Sequence, residues 1–432
     1  MDNRKKEDYH FIKEIIKEKP VDRKAVLIRL GCIVGSAVLF GLVAAFVFVQ
    51  FLPLVGKKEE KPAQIQFEDD DPEAIEVPAV TESPTPTVSQ KRPSAVFQGQ
   101  TQTASQDEIG VQEYENIYTE VTGIAKEAMK SMVTVTGITS NEDWFNITTE
   151  STKQASGVIV ANNGQELFIL TEYRAVDTVD RVMVTFWDNS IVDGRYQKHD
   201  VLTGLTVVKV ALQDMEESTR EGMQVAELGN SYTTHQGEVV IAIGSPMGYS
   251  NSVANGQVTS VTNTKSSVDV EYNLLMTDIL GSSSGSGALV NLEGQVVGII
   301  SQQFAGIGDK SVITGLPISQ LKNLIEILSN NGEIPYLGIQ GQTVTAEIAK
   351  QTGMPRGVYV SVVNTDSPAL EAGIQNADIL IKFNGEDVEN MTIYHESLSK
   401  IQVSETVTLT VMRKGAEGYV EFEFQTVIGN LS

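Results

Sequence analysis

Cysteine is almost absent. Cys32 is the only one in 432 residues, which excludes an intramolecular disulfide and any cysteine metal cluster. Histidine is nearly as scarce, with His10, His199, His235 and His395 the whole supply, and no ligand cluster emerges, so neither a metal nor an organic cofactor is expected. Positive charge is short as well: 32 Lys and Arg against 56 Asp and Glu leave a net charge of -24. That is the wrong sign for a phosphate backbone, so nucleic acid is not an expected partner.

Long apolar runs are also missing, with one exception. Leu30 to Val49 carries no charge, and at about 1.5 Å rise per residue it spans roughly 30 Å, the depth of a hydrocarbon core. Phe51-Leu52-Pro53-Leu54-Val55-Gly56 offers no small-x-small cleavage site, so residues 30-52 read as a transmembrane helix and not as a removed signal peptide. Arg4, Lys5, Lys6, Lys13, Lys17, Lys19, Arg23, Lys24 and Arg29 precede it, and only Lys57, Lys58 and Lys61 follow closely. The positive-inside rule then makes residues 1-29 a cytoplasmic tail and places the rest of the chain outside a single-pass cell membrane. Cys32 reads as an ordinary residue of that helix. In the tail, Phe11, Ile12, Ile15 and Ile16 recur at helical spacing, as in a juxtamembrane helix or one that docks a partner.

Residues 56-110 hold Pro62, Pro72, Pro78, Pro84, Pro86 and Pro93 and the acidic run Glu68-Asp69-Asp70-Asp71. A stretch so poor in large apolar residues predicts a disordered tether. From 111 to 330, short β-branched runs such as Met132-Val133-Thr134-Val135, Val182-Met183-Val184 and Val239-Val240-Ile241 alternate with turn residues. This pattern predicts a mainly β barrel or sandwich. Leu321, Leu324, Ile325 and Leu328 share one face of a closing helix over 318-329, stopped by Asn330-Asn331-Gly332.

Three segments carry a more specific signal: Leu170-Thr171-Glu172-Tyr173-Arg174-Ala175-Val176, Thr203-Gly204-Leu205-Thr206-Val207-Val208-Lys209, and Ser283-Ser284-Gly285-Ser286-Gly287-Ala288-Leu289-Val290-Asn291. With Gly237-Glu238-Val239 to Met247-Gly248 and Leu292-Glu293-Gly294-Gln295-Val296-Val297-Gly298, they resemble the HtrA (Deg-type) branch of the trypsin-like serine proteases. The resemblance implies a trypsin-like double β-barrel over 111-330. Over 335-428, Tyr336-Leu337-Gly338-Ile339, Ser367-Pro368-Ala369-Leu370-Glu371-Ala372-Gly373 and Asn384-Gly385 resemble an α+β PDZ domain. In such domains the backbone N-H groups of a loop receive a peptide's terminal carboxylate. Tyr336, Leu337, Gly338 and Ile339 match that loop.

Carried across residue by residue, the family's general base falls on Arg174, its orienting carboxylate on Gly204 and its nucleophile on Gly285. A guanidinium has donors and no acceptor, so Arg174 cannot take a proton from an attacking hydroxyl. Neither glycine has a side chain to orient or attack with. The chain is one residue short of the family pattern between Asp278 and Ala288, so a shifted gap would bring Ser284 to the nucleophile position. No base then accompanies it: His199 reads as a solvated loop residue, and the serine run 282-286 has no identifiable lysine partner. The backbone of Ser284 and Gly285 stands at the family's oxyanion hole, where oriented amides bind anions whatever the side chains. Arg174 either adds positive charge to that cleft or is a surface residue.

These readings point to a membrane-anchored pseudoprotease that binds peptides or protein C-termini outside the membrane. The family's trimerisation is implied by resemblance, as a homo-trimer or a mixed assembly with active relatives. An active serine endopeptidase using Ser284 in extracytoplasmic quality control is the alternative, and a signalling role for the tail is a third.

Overall fold

The computed structural model describes residues 24, 34-35, 37-43, 63-70, 111-142, 148-306 and 311-431. Of the expected span 30-52, residues 34-35 and 37-43 are described, all helical, with Val34, Leu39 and Phe40 exposed. Among the described residues no helix is long and apolar enough to cross a membrane. The rest of that span, His10, the Phe11-Ile16 segment and most of 56-110 lie outside the described residues.

From Pro62 onward the chain forms its own compact unit. It begins with helix α1 (Val111–Ala128), whose C-terminal half turns Val121, Ile124, Ala125 and Ala128 into a core. Sequence reasoning placed only strands here. β1 (Met132–Glu142), β2 (Thr148–Asn162), β3 (Glu166–Glu172), β4 (Arg181–Thr185), β5 (Ile191–His199) and β6 (Leu205–Ala211) follow. They close into an antiparallel barrel in the order β1-β2-β3-β6-β5-β4. After the short helix α2 (Glu217–Gly222), a second barrel is built from β7 (Val239–Ser245), β8 (Ser252–Ser267), β9 (Val270–Leu280), β10 (Ser286–Val290), β11 (Val296–Ser301) and β12 (Val312–Pro317). Its order is β10-β11-β12-β9-β8-β7.

Alternation along each strand explains why these runs are apolar on both sides. In β6, Val208 and Val210 join Val135, Ile159, Ile169 and Phe186 in one cluster. Leu205 and Val207, of opposite parity, join Val158, Leu170, Ile241, Ile243 and Ala288 in a cluster shared by both barrels. Helix α3 (Lys322–Ser329) seals that second cluster with Ile325 and Leu328, after a 3-10 turn over Ile318–Gln320. The expected helical face is present. Asn330 and Gly332 end it by donating to the carbonyls of Glu326 and Ile327.

The expectation of a fully unfolded 56-110 does not hold for residues 63-70, which lie extended along α3. Ile65 is buried, and its N-H and carbonyl pair with the Asn330 side-chain amide at 2.9 and 2.7 Å. Asp70 pairs with Lys322 at 2.8 Å and accepts from the Ser319 hydroxyl. Composition counts how much apolar surface a segment carries, and so cannot register one isoleucine whose partner helix lies about 260 residues away.

The last part comprises β13 (Pro335–Tyr336), β14 (Ile339–Val344), α4 (Ala346–Thr352), β15 (Gly357–Val363), α5 (Pro368–Ala372), β16 (Ile379–Phe383), β17 (Glu386–Asp387), α6 (Met391–Ser399), β18 (Thr406–Gly415), β19 (Gly418–Val427) and β20 (Gly429–Asn430). Strands β14-β15-β16-β18-β19 form one sheet, β17 pairs with β16, and β13 pairs with β20. Leu337, Ile339, Val358, Leu380, Tyr394, Leu398 and Val411 make a separate core.

Candidate functional site

Three segments far apart in sequence meet where the two barrels face each other. The turn after β9 is tied to itself. Ser282 N-H donates to the Pro246 carbonyl at 3.0 Å and Gly285 N-H to the Ser282 carbonyl at 2.8 Å, the i to i+3 bond of a β-turn. Ser284 N-H donates to the Ser282 hydroxyl at 3.2 Å, and the two hydroxyls lie 3.0 Å apart. The Gln302 amide reaches the Ser282 carbonyl at 3.2 Å.

Both N-H groups expected to survive as an oxyanion hole, those of Ser284 and Gly285, are therefore engaged inside the turn. The turn satisfies these donors internally, which residue identity alone does not reveal. Gly285 is buried, and a Cβ there would stand 2.5 Å from the Pro246 carbonyl oxygen and 2.9 Å from that of Ser282. A side chain at this position has no room. Ser286 is not an alternative nucleophile, because its buried hydroxyl accepts from Ser156 N-H at 3.0 Å.

Opposite the turn, β3 runs into the 3-10 turn Tyr173–Ala175, and Tyr173 N-H donates to the Gly204 carbonyl at 2.8 Å. This bond sets the base and acid positions side by side. Arg174 is half-exposed, pairs with Glu172 and donates to the Ser284 carbonyl at 3.1 Å. The arginine thus clamps the turn. Burial pushes the Glu172 carboxyl above its ordinary value, and the neighbouring Arg174 charge opposes that shift. Gly204 has φ of +64°, and a Cβ there would meet the Gln303 amide at 3.2 Å. Gln303 donates to the Thr203 carbonyl and fills the space beside Gly204 with a neutral group.

The histidines divide differently from expectation. His199 is no solvated loop residue: it ends β5, its ring stacks on Tyr173 at 3.8 Å and 6°, and Tyr196 meets its Nδ1 at 2.7 Å. Sequence reasoning missed this because the strand runs on through Lys198-His199, and the stacking partner lies on another strand's end. His235 faces solvent beside Glu238 at 3.3 Å. Among the described residues no group of three or more His, Cys, Asp or Glu is placed to hold a metal ion.

The PDZ-like loop meets a carboxylate from the same chain. Asp269, at the tip of the β8–β9 hairpin, accepts from Leu337 N-H and Gly338 N-H through Oδ2, both at 2.8 Å, and from Ile339 N-H through Oδ1 at 3.0 Å. The Tyr394 hydroxyl on α6 adds a fourth donor group at 2.7 Å. Asp269 N-H in turn donates to the Ile339 carbonyl at 2.7 Å, Val268 bridges Gln340 in antiparallel register, and the Ser266 hydroxyl donates to the Gly341 carbonyl at 3.0 Å. The hairpin tip therefore adds to β14 as a strand does. Tyr336 takes no part in holding the carboxylate; it pairs with Gly429. Gly338 has φ of +91°, and a Cβ there would stand 2.3 Å from the Ser367 Cβ, so the loop admits only glycine. No local pattern marks Asp269, whose partners lie about seventy residues on.

Burial pushes the Asp269 carboxyl up, against the pull of its donors. His395, whose Nδ1 meets the Asp269 carbonyl at 3.0 Å, is held below its ordinary value by burial. A histidine with a lowered folded pKa takes up its proton on unfolding, so its contribution is present above the unfolded value of 6.5 and is lost as pH falls below it. The melting temperature should fall more steeply from about pH 7.5 to about pH 5.5 in the natural protein than in His395→Gln. Equal slopes in differential scanning fluorimetry would refute this.

Two antiparallel barrels, with Arg174, Gly204 and the 282-285 turn brought together, and an α+β domain whose loop holds the Asp269 carboxylate define a trypsin-like peptidase fold joined to a PDZ domain. Family models agree: residues 155–299 match the trypsin-like peptidase domain and residues 335–423 the PDZ domain. The serine protease Do-like HtrB of Bacillus subtilis (strain 168) is 30% identical over 281 residues, covering 60% of this chain and 59% of that protein. The serine protease Do-like HtrA of Lactobacillus helveticus is 28% identical over 285 residues, covering 62% and 67%. Among solved structures, the HtrA-type protease AlgW with a decapeptide aligns with a TM-score of 0.54 at 18% identity, covering 72% of this chain and 98% of that one. The chain carries a trypsin-like peptidase domain followed by a PDZ domain and is similar to HtrA-type proteins of that architecture, and its match spans about three fifths of the length of HtrB.

Proposed function

We propose that this protein is a membrane-anchored, non-catalytic HtrA-type protein that holds peptides or protein C-termini outside the membrane as a scaffold or regulator. The observation that carries the reading is Arg174 at the base position, clamped to the Ser284 carbonyl at 3.1 Å and to Glu172. The Arg174 guanidinium at the base position cannot accept a proton, Glu172 is tied up with that guanidinium, and the nucleophile position has neither a hydroxyl nor space for one. Support for peptide binding comes from the loop Leu337-Gly338-Ile339, which already receives a carboxylate on three N-H groups. A solved HtrA-type protease of similar fold, AlgW, carries a decapeptide. The Leu30 to Val49 run supplies the anchor, and a homo-trimer or a mixed assembly with active relatives is the expected arrangement.

The second reading, an active endopeptidase using Ser284, is favoured by relatives named as serine proteases and by the exposure of Ser284. Its hydroxyl is paired with another serine hydroxyl, which is no base at neutral pH.

Peptide capture without cutting is tested with the full chain in detergent and decapeptides bearing a free C-terminal carboxylate or an amide. The carboxylate form should bind more tightly and be recovered intact by mass spectrometry. Stoichiometric or catalytic cleavage of the bound peptide would sink the reading.

A further inference from the structure

The hairpin joining two barrel strands does to β14 what a bound peptide end would do. It runs antiparallel to the strand, places a carboxylate on the N-H groups of Leu337, Gly338 and Ile339, and fixes that carboxylate from the opposite side with the Tyr394 hydroxyl of α6. Asp269 adopts the left-handed conformation, φ of 59°, which aspartate readily takes as a turn residue. Leu337, Gly338, Ile339 and Asp269 are all buried, so no second carboxylate reaches the loop while the hairpin tip is seated.

The packing around the seated tip is incomplete. A cavity of about 50 Å³ lies beside it, bordered by Asp200, Tyr272, Leu324, Ile334 and His395. Only Val268 forms a bridge, against eleven paired positions between β1 and β2 within the first barrel. The contact between the second barrel and the PDZ domain combines the Asp269 carboxylate, the Ser266 to Gly341 bond and His395 with apolar residues such as Val268, Val270, Leu324 and Leu398 around the cavity, while the two apolar cores stay separate.

We propose that the Ser266–Val270 hairpin tip is a resident ligand of the PDZ groove, and that a peptide with a free C-terminal carboxylate binds by displacing Asp269 from the loop. The proposal rests on the peptide-binding reading and adds its regulation. A protein whose competent state is only partly populated binds its ligand more weakly by that fraction. The same linkage requires that a bound peptide weaken the hold of the hairpin tip on the loop. External and internal carboxylates exclude each other because both need the same three N-H groups.

The test uses the full chain in detergent, in a Cys32→Ser background, with fluorescein-labelled decapeptides covering every standard C-terminal residue and amidated controls. Asp269→Ala should bind the free-carboxylate peptides at least about tenfold more tightly than the natural residue, with Tyr394→Phe between them. Val268→Cys combined with Gln340→Cys should lock the tip in place, since antiparallel partners stand about 4.5–5.5 Å apart at Cα, within disulfide reach. The oxidised lock should lose peptide binding and regain it on reduction. If Asp269→Ala does not fold, the lock decides the matter alone. Equal binding by the oxidised and reduced lock, or by Asp269→Ala and the parent, would overturn displacement while leaving peptide binding intact. If the parent, Asp269→Ala and the reduced lock all fail to prefer carboxylate over amide, the peptide-binding reading falls, and displacement with it.

Discussion

Unfolded casein incubated with the purified full chain should stay intact, and a fluorophosphonate probe should leave the protein unlabelled. The expectation follows from proton transfer. In a related triad, removal of the nucleophile or the base alone lowers turnover by about 10⁶, and the losses do not add because the residues act as a unit. On the proposed reading both positions are replaced, by Arg174 and Gly285, and Arg174 also donates to the Ser284 carbonyl. Gly285→Ser does not restore activity, because its Cβ would collide with the Pro246 and Ser282 carbonyl oxygens at 2.5 and 2.9 Å. Forcing it in should cost about 1–3 kcal/mol, as overpacking does. Casein turnover by homogeneous protein, or probe labelling that disappears in Ser284→Ala, would establish the enzyme reading instead.

Arg413→Ala should destabilise the PDZ domain by about 3–5 kcal/mol, the cost of leaving a buried charge without its partner. Asp378 is fully buried, and Arg413 grips it through Nε and Nη2, both at 2.7 Å. The same guanidinium donates to the Gly373 carbonyl at 2.9 Å and lies over the rings of Phe422 and Phe424 at 5.2 and 5.6 Å. Removing the arginine strands the carboxylate beneath β18 and β19 with the Gln375 N-H as its remaining donor. Asp378→Asn should cost less, since a neutral amide needs no counter-charge and Arg413 is partly exposed to water. Urea unfolding of the two variants provides the comparison. A loss below about 1 kcal/mol for Arg413→Ala would place this pair with ordinary surface bridges.

Much of the architecture was legible because its causes are local and repetitive. The β-branched runs of β1, β4 and β7 predict strands, and the burial of β7 on both faces follows from two barrels packed together. The α3 face and its Asn330-Asn331-Gly332 stop are similarly readable. Of the four residues expected to form a carboxylate loop, Leu337, Gly338 and Ile339 each donate an N-H to Asp269, whereas Tyr336 contributes none. Helix α1 was missed because half of it faces solvent and its apolar stripe is confined to the C-terminal turns.

What the sequence determined by itself is chemistry: arginine cannot accept a proton and glycine cannot attack, wherever the chain places them. The tertiary structure decided occupancy. It seated Asp269 on the loop of another domain, closed the 282-285 turn on its own N-H groups, laid Ile65 against α3 and stacked His199 on Tyr173. Each of these is a contact between residues that share no periodicity and no neighbouring position. Side-chain identity limits which reactions a residue can take part in, whereas a hydrogen bond across tens or hundreds of residues exists only once the intervening chain has folded and brought its partners within reach.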